Sequence, residues 1–322
     1  MGWICALTLE LTAARQFLDV EHQPTSHLAA NDTNSYTLGE MAGHNIVIAV
    51  LPEYGTNAAS SATANLLNSF PNIKFGLMVG IGGGVPSRKN DIRLGDVVVS
   101  KPTNGVGGVY QYDFGKTIQG REFQQTGHLN QPPAAVLAAI KNLESLYDSD
   151  GHKIKENIET ILEKKPRLRK KYQQPSQLHD RLYKSNIPHP DEDDGSCEEL
   201  CGTESSKFIE RHQRKDDEDD PAVHYGVIAS ANQVMKDACV RDDLARSKGI
   251  LCFEMEAAGM MNQFPCLVVR GICDYSDSHK NNEWQGYAAM TAAAYTKDLL
   301  NNILPWLLER EERLRDIHNS RQ

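Results

Sequence analysis

Two acidic side chains in the last third of the chain are spaced so that they could act together. Glu256 lies in the apolar segment Phe253–Ala258, and Asp274 follows Cys266–Ile272, a buried-strand pattern that ends in Arg270-Gly-x-x-Asp. Ligands of α/β folds bind at the carboxyl ends of strands, so we expect Asp274 at such an edge. Glu256, on a short helix before this strand, could reach the same pocket. One carboxylate could then hold a sugar while the other protonates a leaving base.

A glycine-rich run follows another strand candidate. Four of the five residues 80–84 are glycine: Gly80, Gly82, Gly83 and Gly84. Bare backbone amides at Gly82 and Gly83 could approach a ligand closely. The run is not a phosphate loop, because no Lys-Ser or Lys-Thr follows it, and Pro86 interrupts the helix that a dinucleotide-binding fingerprint requires. A tight turn with close packing would explain the run equally well.

The acidic residues also have structural explanations. Glu10, predicted at the end of the first strand, could be an ordinary helix N-terminal charge, and so could Glu256. Arg270 could pair with any of these carboxylates, which would make them structural. No single acidic residue therefore establishes a site.

Composition narrows the function classes. The 322 residues could form one large α/β domain or two smaller ones, and 40% of them are apolar. The formal charge of −9 argues against non-specific binding of nucleic acid, which needs clustered Lys and Arg. The sequence has no run of 18 apolar residues, so we expect no membrane span. The N-terminus lacks a basic region before its apolar run, and we expect a cytoplasmic protein.

The seven cysteines fit reduced thiols. Those in apolar runs are expected to be small core residues: Cys5, Cys252, Cys266 and Cys273. A zinc site could also be drawn from two cysteines and two histidines, although their spacing matches no standard ligand pattern: Cys197, Cys201, His189 and His212.

Strand and helix patterns alternate along the chain and predict an α/β fold with helices on the faces of a sheet. The predicted strands are Trp3–Leu7, Ile46–Leu51, Phe75–Val79, Asp96–Ser100, His224–Ser230, Gly249–Phe253 and Cys266–Ile272. The predicted helices are Thr56–Phe70, 132–147 and Trp284–Leu300.

Charged residues are concentrated in residues 148–222, which include the acidic runs Asp191–Asp194 and Asp216–Asp220. We interpret this segment as a solvated insertion, helical near Ile154–Leu162, which cannot supply a core layer. Residues 1–305 would then form one interrupted α/β domain, and residues 306–322 a charged tail.

Several motifs together resemble, in their order, the superfamily of nucleoside phosphorylases and nucleosidases. They are Ile4–Glu10, Val79–Val85, Leu94–Ser100, Phe253–Ala258 and Val269–Asp274. The resemblance covers about residues 1–147 and 222–305 and is closest to the fungal branch, which stands alone or is attached to signalling domains. Relatives include methylthioadenosine/adenosylhomocysteine nucleosidase. The resemblance implies a three-layer α-β-α sandwich with a central mixed twisted sheet, and a homodimer or higher homo-oligomer.

The resemblance also implies roles for the acidic residues. Cleavage of a purine N-glycosidic bond passes through an oxocarbenium-like sugar and needs protonation of the leaving group. Asp274 matches the aspartate that helps to protonate the purine at N7, and Glu10 matches the glutamate that orients the attacking water. Glu256 matches the carboxylate that accepts hydrogen bonds from the ribose hydroxyls, and Met255 should pack on the ribose. Arg270 would be the partner of a carboxylate.

The segment Ser230–Met235 occupies the position of the purine-recognition loop. Asn232 and Gln233 offer donors and acceptors for the edge of a base. Val234 replaces the aromatic residue that commonly stacks there, which leaves the base preference open. Three aromatic residues could line the 5′ side of the sugar or simply pack in the core: Tyr110, Tyr112 and Phe114.

The resemblance leaves two nucleophiles possible, and the sequence favours water. Phosphorylases of this superfamily hold phosphate with an arginine from an early Gly-Asp-Pro-x-Arg turn, which does not follow the first strand here. They also use Arg and Ser around the glycine strand, where this chain has Met78 and Ile81. Arg88, Lys89 and Arg93 could still assemble a different phosphate site. The leading hypothesis is a purine nucleosidase that acts on adenosine, inosine or guanosine without a metal or cofactor. A phosphorylase and a non-catalytic nucleoside-sensing module are the alternatives.

Overall fold

The computed structural model of the protein describes residues 1–103, 105–121, 123–190, 197–215, 217–280, 282–306, 311–314 and 316. The acidic run 191–194, Asp216 and most of the charged tail lie outside the described residues. Among the described residues, no helix is long and apolar enough to cross a membrane.

A mixed β-sheet forms the centre of the molecule. Its strands lie side by side in the order β11-β10-β6-β12-β5-β1-β4-β3-β2, and β7 pairs with β10. Strands β8 and β9 form a separate two-stranded sheet. The strands are β1 Gly2–Cys5, β2 Val20–His22, β3 Ser35–Met41, β4 His44–Val50, β5 Gly76–Gly84, β6 Val97–Ser100, β7 Val109–Gln111, β8 Gly115–Lys116, β9 Gln124–Gln125, β10 Val223–Ser230, β11 Ile250–Glu254 and β12 Cys266–Asp274.

Helices cover the sheet. They are α1 Thr8–Phe17, α2 Thr56–Ser69, α3 Ala134–Asp150, α4 Ile154–Lys164, α5 Arg169–Tyr172, α6 Cys197–Leu200, α7 Ala238–Lys248 and α8 Gln285–Asn301. Helix α8 is buried because it packs on β5 and β12 on one side and on α1 and α4 on the other. Its close approach requires Gly271 on β12, since a Cβ there would lie 1.8 Å from the carbonyl oxygen of Ala288. The predicted three-layer sandwich with a central mixed sheet is confirmed.

The apolar runs correctly predicted the central strands and the helices α2, α3 and α8, with shifts of a few residues at their ends. The predicted position of Glu10 was wrong. Strand β1 ends at Cys5, and Glu10 lies in the first turn of α1 rather than at the end of a strand. The interpretation of the glycine run as a tight turn was also wrong, because β5 continues through Gly84 and pairs there with β11.

The segment 148–222 is more than a solvated insertion. Helix α4 buries Ile154, Ile158 and Leu162, which lie one helical turn apart and therefore form one apolar face. This face packs against α8, so the expectation that the segment supplies no core layer is wrong. The many charged residues of the segment made the regular apolar stripe of α4 difficult to recognise in the sequence.

Candidate functional site

A cavity of about 320 Å³ lies at the carboxyl ends of β1, β5, β11 and β12. Its volume is within the range of small-molecule pockets, about 300–1,000 Å³. Most of the site residues predicted from the sequence line it: Glu10, Gly82, Gly83, Gln233, Val234, Met255, Glu256 and Asp274. The structure thus brings the three predicted acidic residues to one cavity.

Glu10 is fixed by backbone amides. Its Oε2 accepts hydrogen bonds from the N–H groups of Ala6 (2.7 Å) and Leu7 (2.9 Å), and its Oε1 accepts one from Ile81 (2.8 Å). Burial raises the pKa of Glu10, while Arg270 and these amides act in the opposite direction. A carboxylate has about four lone-pair sites, so one acceptor site is left after the three backbone bonds.

Arg270 does not line the cavity but lies behind it, fully buried, among carboxylates. Its guanidinium donates to Glu254 and, over 3.0 Å, to Oε2 of Glu256. The carboxylate of Glu10 lies 3.9 Å away on the other guanidinium nitrogen. Arg270 is therefore a positioning residue for the acidic cluster, which fits the predicted carboxylate partner rather than direct contact with a ligand.

Glu256 follows β11 and is the residue before a short 3₁₀ turn, Ala257–Gly259. Burial raises the pKa of Glu256 to about 7, an effect that Arg270 reduces and that the nearby charges of Glu254 and Glu10 increase. Its contacts with Arg270 and with the Met255 amide both fall on Oε2. Among the described residues, no donor is assigned to Oε1, which can accept a hydrogen bond from a ligand.

Asp274, the last residue of β12, has a partner on each oxygen. Its Oδ1 accepts from the Ser276 amide (2.8 Å), and its Oδ2 accepts from the Lys280 ammonium (2.9 Å). Burial works against the charge of Lys280, but the ion pair and hydrogen bond with Asp274, together with other nearby acidic groups, outweigh it and the pKa of Lys280 is raised. The ammonium of Lys280 is therefore held beside Asp274 at the wall of the cavity.

The glycines of β5 give the acidic side chains room. A Cβ at Gly80 would lie 2.2 Å from Oε1 of Glu10, and a Cβ at Gly83 would lie 2.6 Å from Oδ1 of Asp274. The close packing offered as the structural explanation of the run is confirmed by these contacts, although it does not occur in a tight turn. The approach of a ligand to the backbone of Gly82 and Gly83, which line the cavity, stays a prediction.

Asn232 does not line the cavity, in contrast to its neighbours Gln233 and Val234. Its side-chain oxygen accepts from the Thr56 amide (3.2 Å) at the start of α2, so the structure does not bring Asn232 together with the other predicted site residues. The proposed 5′ aromatic residues do not line the cavity either. Tyr110 and Tyr112 are buried in a separate apolar cluster, and Phe114 is exposed.

Several cavity residues were missed by the sequence analysis: Tyr54, Phe253, Ser276, Lys280 and Gln285. Ser276 has φ +53°, a left-handed conformation that is uncommon outside glycine, and strain of this kind often marks functional sites. Its buried Oγ has no hydrogen-bond partner among the described residues. The polar run after Asp274 was the available signal for Ser276 and Lys280.

Comparison with solved structures defines the class of fold. The chain is similar to a 5′-methylthioadenosine/S-adenosylhomocysteine nucleosidase of Neisseria meningitidis in complex with methylthio-immucillin-A (TM-score 0.57, 16% identity, 93% of this chain and 97% of that chain). It is also similar to futalosine hydrolase of Helicobacter pylori (TM-score 0.57, 15% identity, 93% and 96%). The corresponding nucleosidase of S. pneumoniae gives TM-score 0.57 and 18% identity over 94% and 99%. The protein thus has the nucleoside phosphorylase/nucleosidase fold.

A curated relative is much more similar in sequence. The chain is 45% identical over 309 residues to a nucleotide-binding leucine-rich repeat (NLR)-like protein of Hyaloscypha variabilis. The match covers 96% of this chain but 30% of the relative, so the chain spans less than a third of the relative's length. No family model matches the chain.

Proposed function

We propose that the protein is a purine nucleosidase that hydrolyses the N-glycosidic bond of adenosine, inosine or guanosine to free base and ribose. The observation that carries the proposal is the convergence of Glu10, Glu256 and Asp274 on one cavity. The fold that the chain shares with solved nucleosidases supports the reaction class.

The sugar would be held by Glu256. Its Oε1 can accept hydrogen bonds from the ribose 2′- and 3′-hydroxyls, and its ionised form favours the positive charge that develops on the sugar. Met255 would pack on the ribose face. Ionised Glu256 is therefore the active form.

Water would attack from the side of Glu10. The remaining acceptor site of Glu10 can orient one water toward C1′. A C–O bond forms as the C1′–N9 bond breaks, and the electron pair of the broken bond passes to the purine. The proton lost by the attacking water can be accepted by Glu10, whose pKa is raised by burial.

The leaving purine would be protonated at N7 through Asp274. Asp274 in its protonated form would give its proton to N7, and the Lys280 ammonium would then stabilise the carboxylate that is left, so the negative charge is not isolated in the site. The side chain of Gln233, which lines the cavity, would contact the base edge. Phe253, on β11, would supply an aromatic wall, since Val234 in the neighbouring loop is 45% exposed.

Water is favoured over phosphate by the charges around the cavity. Among the described residues that line it, Lys280 is the only cation, and it is paired with Asp274. Arg88 and Lys89 line a different cavity, and Arg93 is bonded to Asp91. Glu10 and Glu256 would repel a phosphate dianion.

Product analysis tests the proposal. Purified protein incubated with adenosine, inosine, guanosine and 5′-methylthioadenosine in phosphate-free buffer should release free base and the corresponding free pentose. Release that occurs only after phosphate is added, with ribose 1-phosphate as product, would instead identify a phosphorylase.

The NLR-like relative favours a second candidate, a nucleoside-sensing module of a larger signalling protein. The same relative supports placement in the branch of the superfamily that is attached to signalling domains. Calorimetry with the same nucleosides distinguishes this candidate, because a sensing module would bind them without turnover. The cytoplasmic location and the homo-oligomeric state stay predictions.

A further inference from the structure

Outside the proposed active site, the described residues contain one cluster of metal-ligating side chains. Ligand atoms of His189, Cys197 and Cys201 all lie within 4.8 Å of one another. Cys197 is the first residue of α6 and Cys201 directly follows its last, and the Cys201 amide donates to the Cys197 carbonyl over 2.9 Å. The short helix therefore presents both thiols to the same side.

His279 is not a member of that group, but it approaches one of its cysteines from a distant part of the chain. Nδ1 of His279 lies 3.5 Å from Sγ of Cys201. Sulfur and nitrogen ligands at about 2.3 and 2.0 Å from a tetrahedral zinc are separated by about 3.5 Å, so this distance fits two ligands of one ion. His212, the histidine considered from the sequence, is exposed, and its backbone carbonyl accepts from Arg93 instead.

The two imidazoles are oriented as metal ligands usually are. Nε2 of His279 lies 2.7 Å from the carbonyl of Ile187, and Nδ1 of His189 lies 2.9 Å from the carbonyl of Pro190. A ring nitrogen next to a carbonyl must carry the proton, so the other nitrogen of each ring has a free lone pair. Such hydrogen bonds fix the tautomer and ring orientation of zinc-bound histidines.

We propose a structural zinc site whose four ligands are His189, Cys197, Cys201 and His279. Two thiolates and two neutral imidazoles would neutralise the divalent charge and close the coordination shell, as in structural rather than catalytic zinc sites. Binding of Zn²⁺ releases the two thiol protons to solvent.

The zinc would connect the charged insertion to the loop of the proposed active site. His189 and the cysteines belong to the segment 148–222, whereas His279 directly precedes Lys280, which bonds to Asp274. The His189 amide also donates to Oγ of Ser278 (2.8 Å), so the two segments already meet at this point. The ion would hold Lys280 at the cavity.

Metal analysis of the purified full chain tests this proposal. Protein produced with zinc and dialysed against metal-free buffer should contain about one zinc per chain by mass spectrometry. Cys201→Ser and His279→Asn should lose most of it. The matched controls Cys239→Ser, at an exposed cysteine, and His212→Asn should keep it.

A second readout does not depend on the folding of variants. Wild-type protein reconstituted with Co²⁺ should show thiolate-to-cobalt charge-transfer absorption and tetrahedral d–d bands, and chelation should lower the melting temperature. Wild-type protein without zinc, zinc content equal in all variants, or a Cys197–Cys201 disulfide under reducing conditions would each refute the site. Because zinc content is measured without substrate, a failure here is separate from a failure of the nucleosidase proposal.

Discussion

The acidic cluster behind the cavity contains more negative than positive charge. Glu10, Glu254 and Glu256 surround the single guanidinium of Arg270, and all four side chains are buried. Burial of unbalanced charge costs stability. Burial is also the main reason why the pKa of Glu256 is raised to about 7, and the neighbouring carboxylates add to it. An oxocarbenium-like sugar would supply the missing positive charge. The imbalance is thus consistent with a site that binds a cation only in the transition state.

The raised pKa of Glu256 predicts an acid limb in the pH profile. Activity needs ionised Glu256, so kcat/KM should fall as the pH decreases through about 7. Glu254→Gln removes a neighbouring negative charge that raises this pKa, so the acid limb should move to lower pH. Steady-state kinetics between about pH 5 and 9 measure both profiles. An acid limb that stays in place in the variant would contradict the assignment.

Asp274 gives a second prediction at the level of single residues. Asp274→Asn keeps the size of the side chain but cannot give a proton to the base. We expect kcat to decrease by about 10²–10⁴-fold, while nucleoside affinity changes little. Asp243→Asn, at an exposed residue of α7 that pairs with Arg246, is the control. Equal activity of the two variants would remove Asp274 from the mechanism.

At the level of elements, β5 positions the site by lacking side chains. Its parallel neighbour β1 leads into α1, and its parallel neighbour β12 ends at Asp274. The end of β5 pairs with β11, and Glu256 follows β11. The absence of Cβ atoms at Gly80 and Gly83 lets acidic groups from two other elements lie directly on this strand. The glycine run is therefore a packing requirement of these acidic side chains.

Gly83→Ala should damage activity more than stability. The added Cβ would lie 2.1 Å from Oγ of Ser276 and 2.6 Å from Oδ1 of Asp274, so the loop that carries both must move. We expect kcat/KM to fall by at least about tenfold, because small displacements of catalytic groups are costly. Gly120→Asn is the control, in open space and with a residue that tolerates its left-handed backbone. Unchanged kinetics in Gly83→Ala would refute the packing argument.

The sequence predicted the elements that have a clear apolar pattern and missed those that do not. Continuous apolar runs identified β5 and β12, because strands buried on both faces have no polar alternation. Helix α1 was missed because its first turn, which contains Glu10, was interpreted as the end of a strand. Lys280 was missed because nothing local reveals its contact with Asp274, which depends on the left-handed turn at Ser276.

At the level of the whole molecule, the charged segment 148–222 is anchored in the sandwich by an ion pair as well as by α4. Arg214 donates to both oxygens of Asp96 over 2.6 and 2.5 Å, and Asp96 is fully buried beside β6. His224 on β10 lies 3.0 Å from the same carboxylate. The pairing of Arg214 with a residue more than 100 positions earlier could not be predicted from one sequence, since charge runs show composition and not partners.

Removal of this anchor should destabilise the protein in a pH-dependent manner. Burial opposes the charge of Asp96, but His224 and Arg214 outweigh it, so the pKa of Asp96 is lowered in the wild type. Arg214→Met leaves the buried carboxylate without its bidentate partner and should lower the free energy of unfolding by about 3 kcal/mol near neutral pH. A lowered pKa contributes stability above the ordinary value of Asp, about 3.9, and this contribution is lost as the pH falls below it.

In the variant, burial is no longer compensated by Arg214, so Asp96 should take up a proton at higher pH than in the wild type. Protonation relieves the unpaired charge, and the loss of stability relative to the wild type should therefore be smaller at about pH 5 than at about pH 7.5. Urea denaturation at the two pH values measures the difference. Arg246→Met, at an exposed pair, should show little change at either pH. An equal loss for Arg214→Met at both pH values would mean that the segment is held by the apolar face of α4 and not by this ion pair.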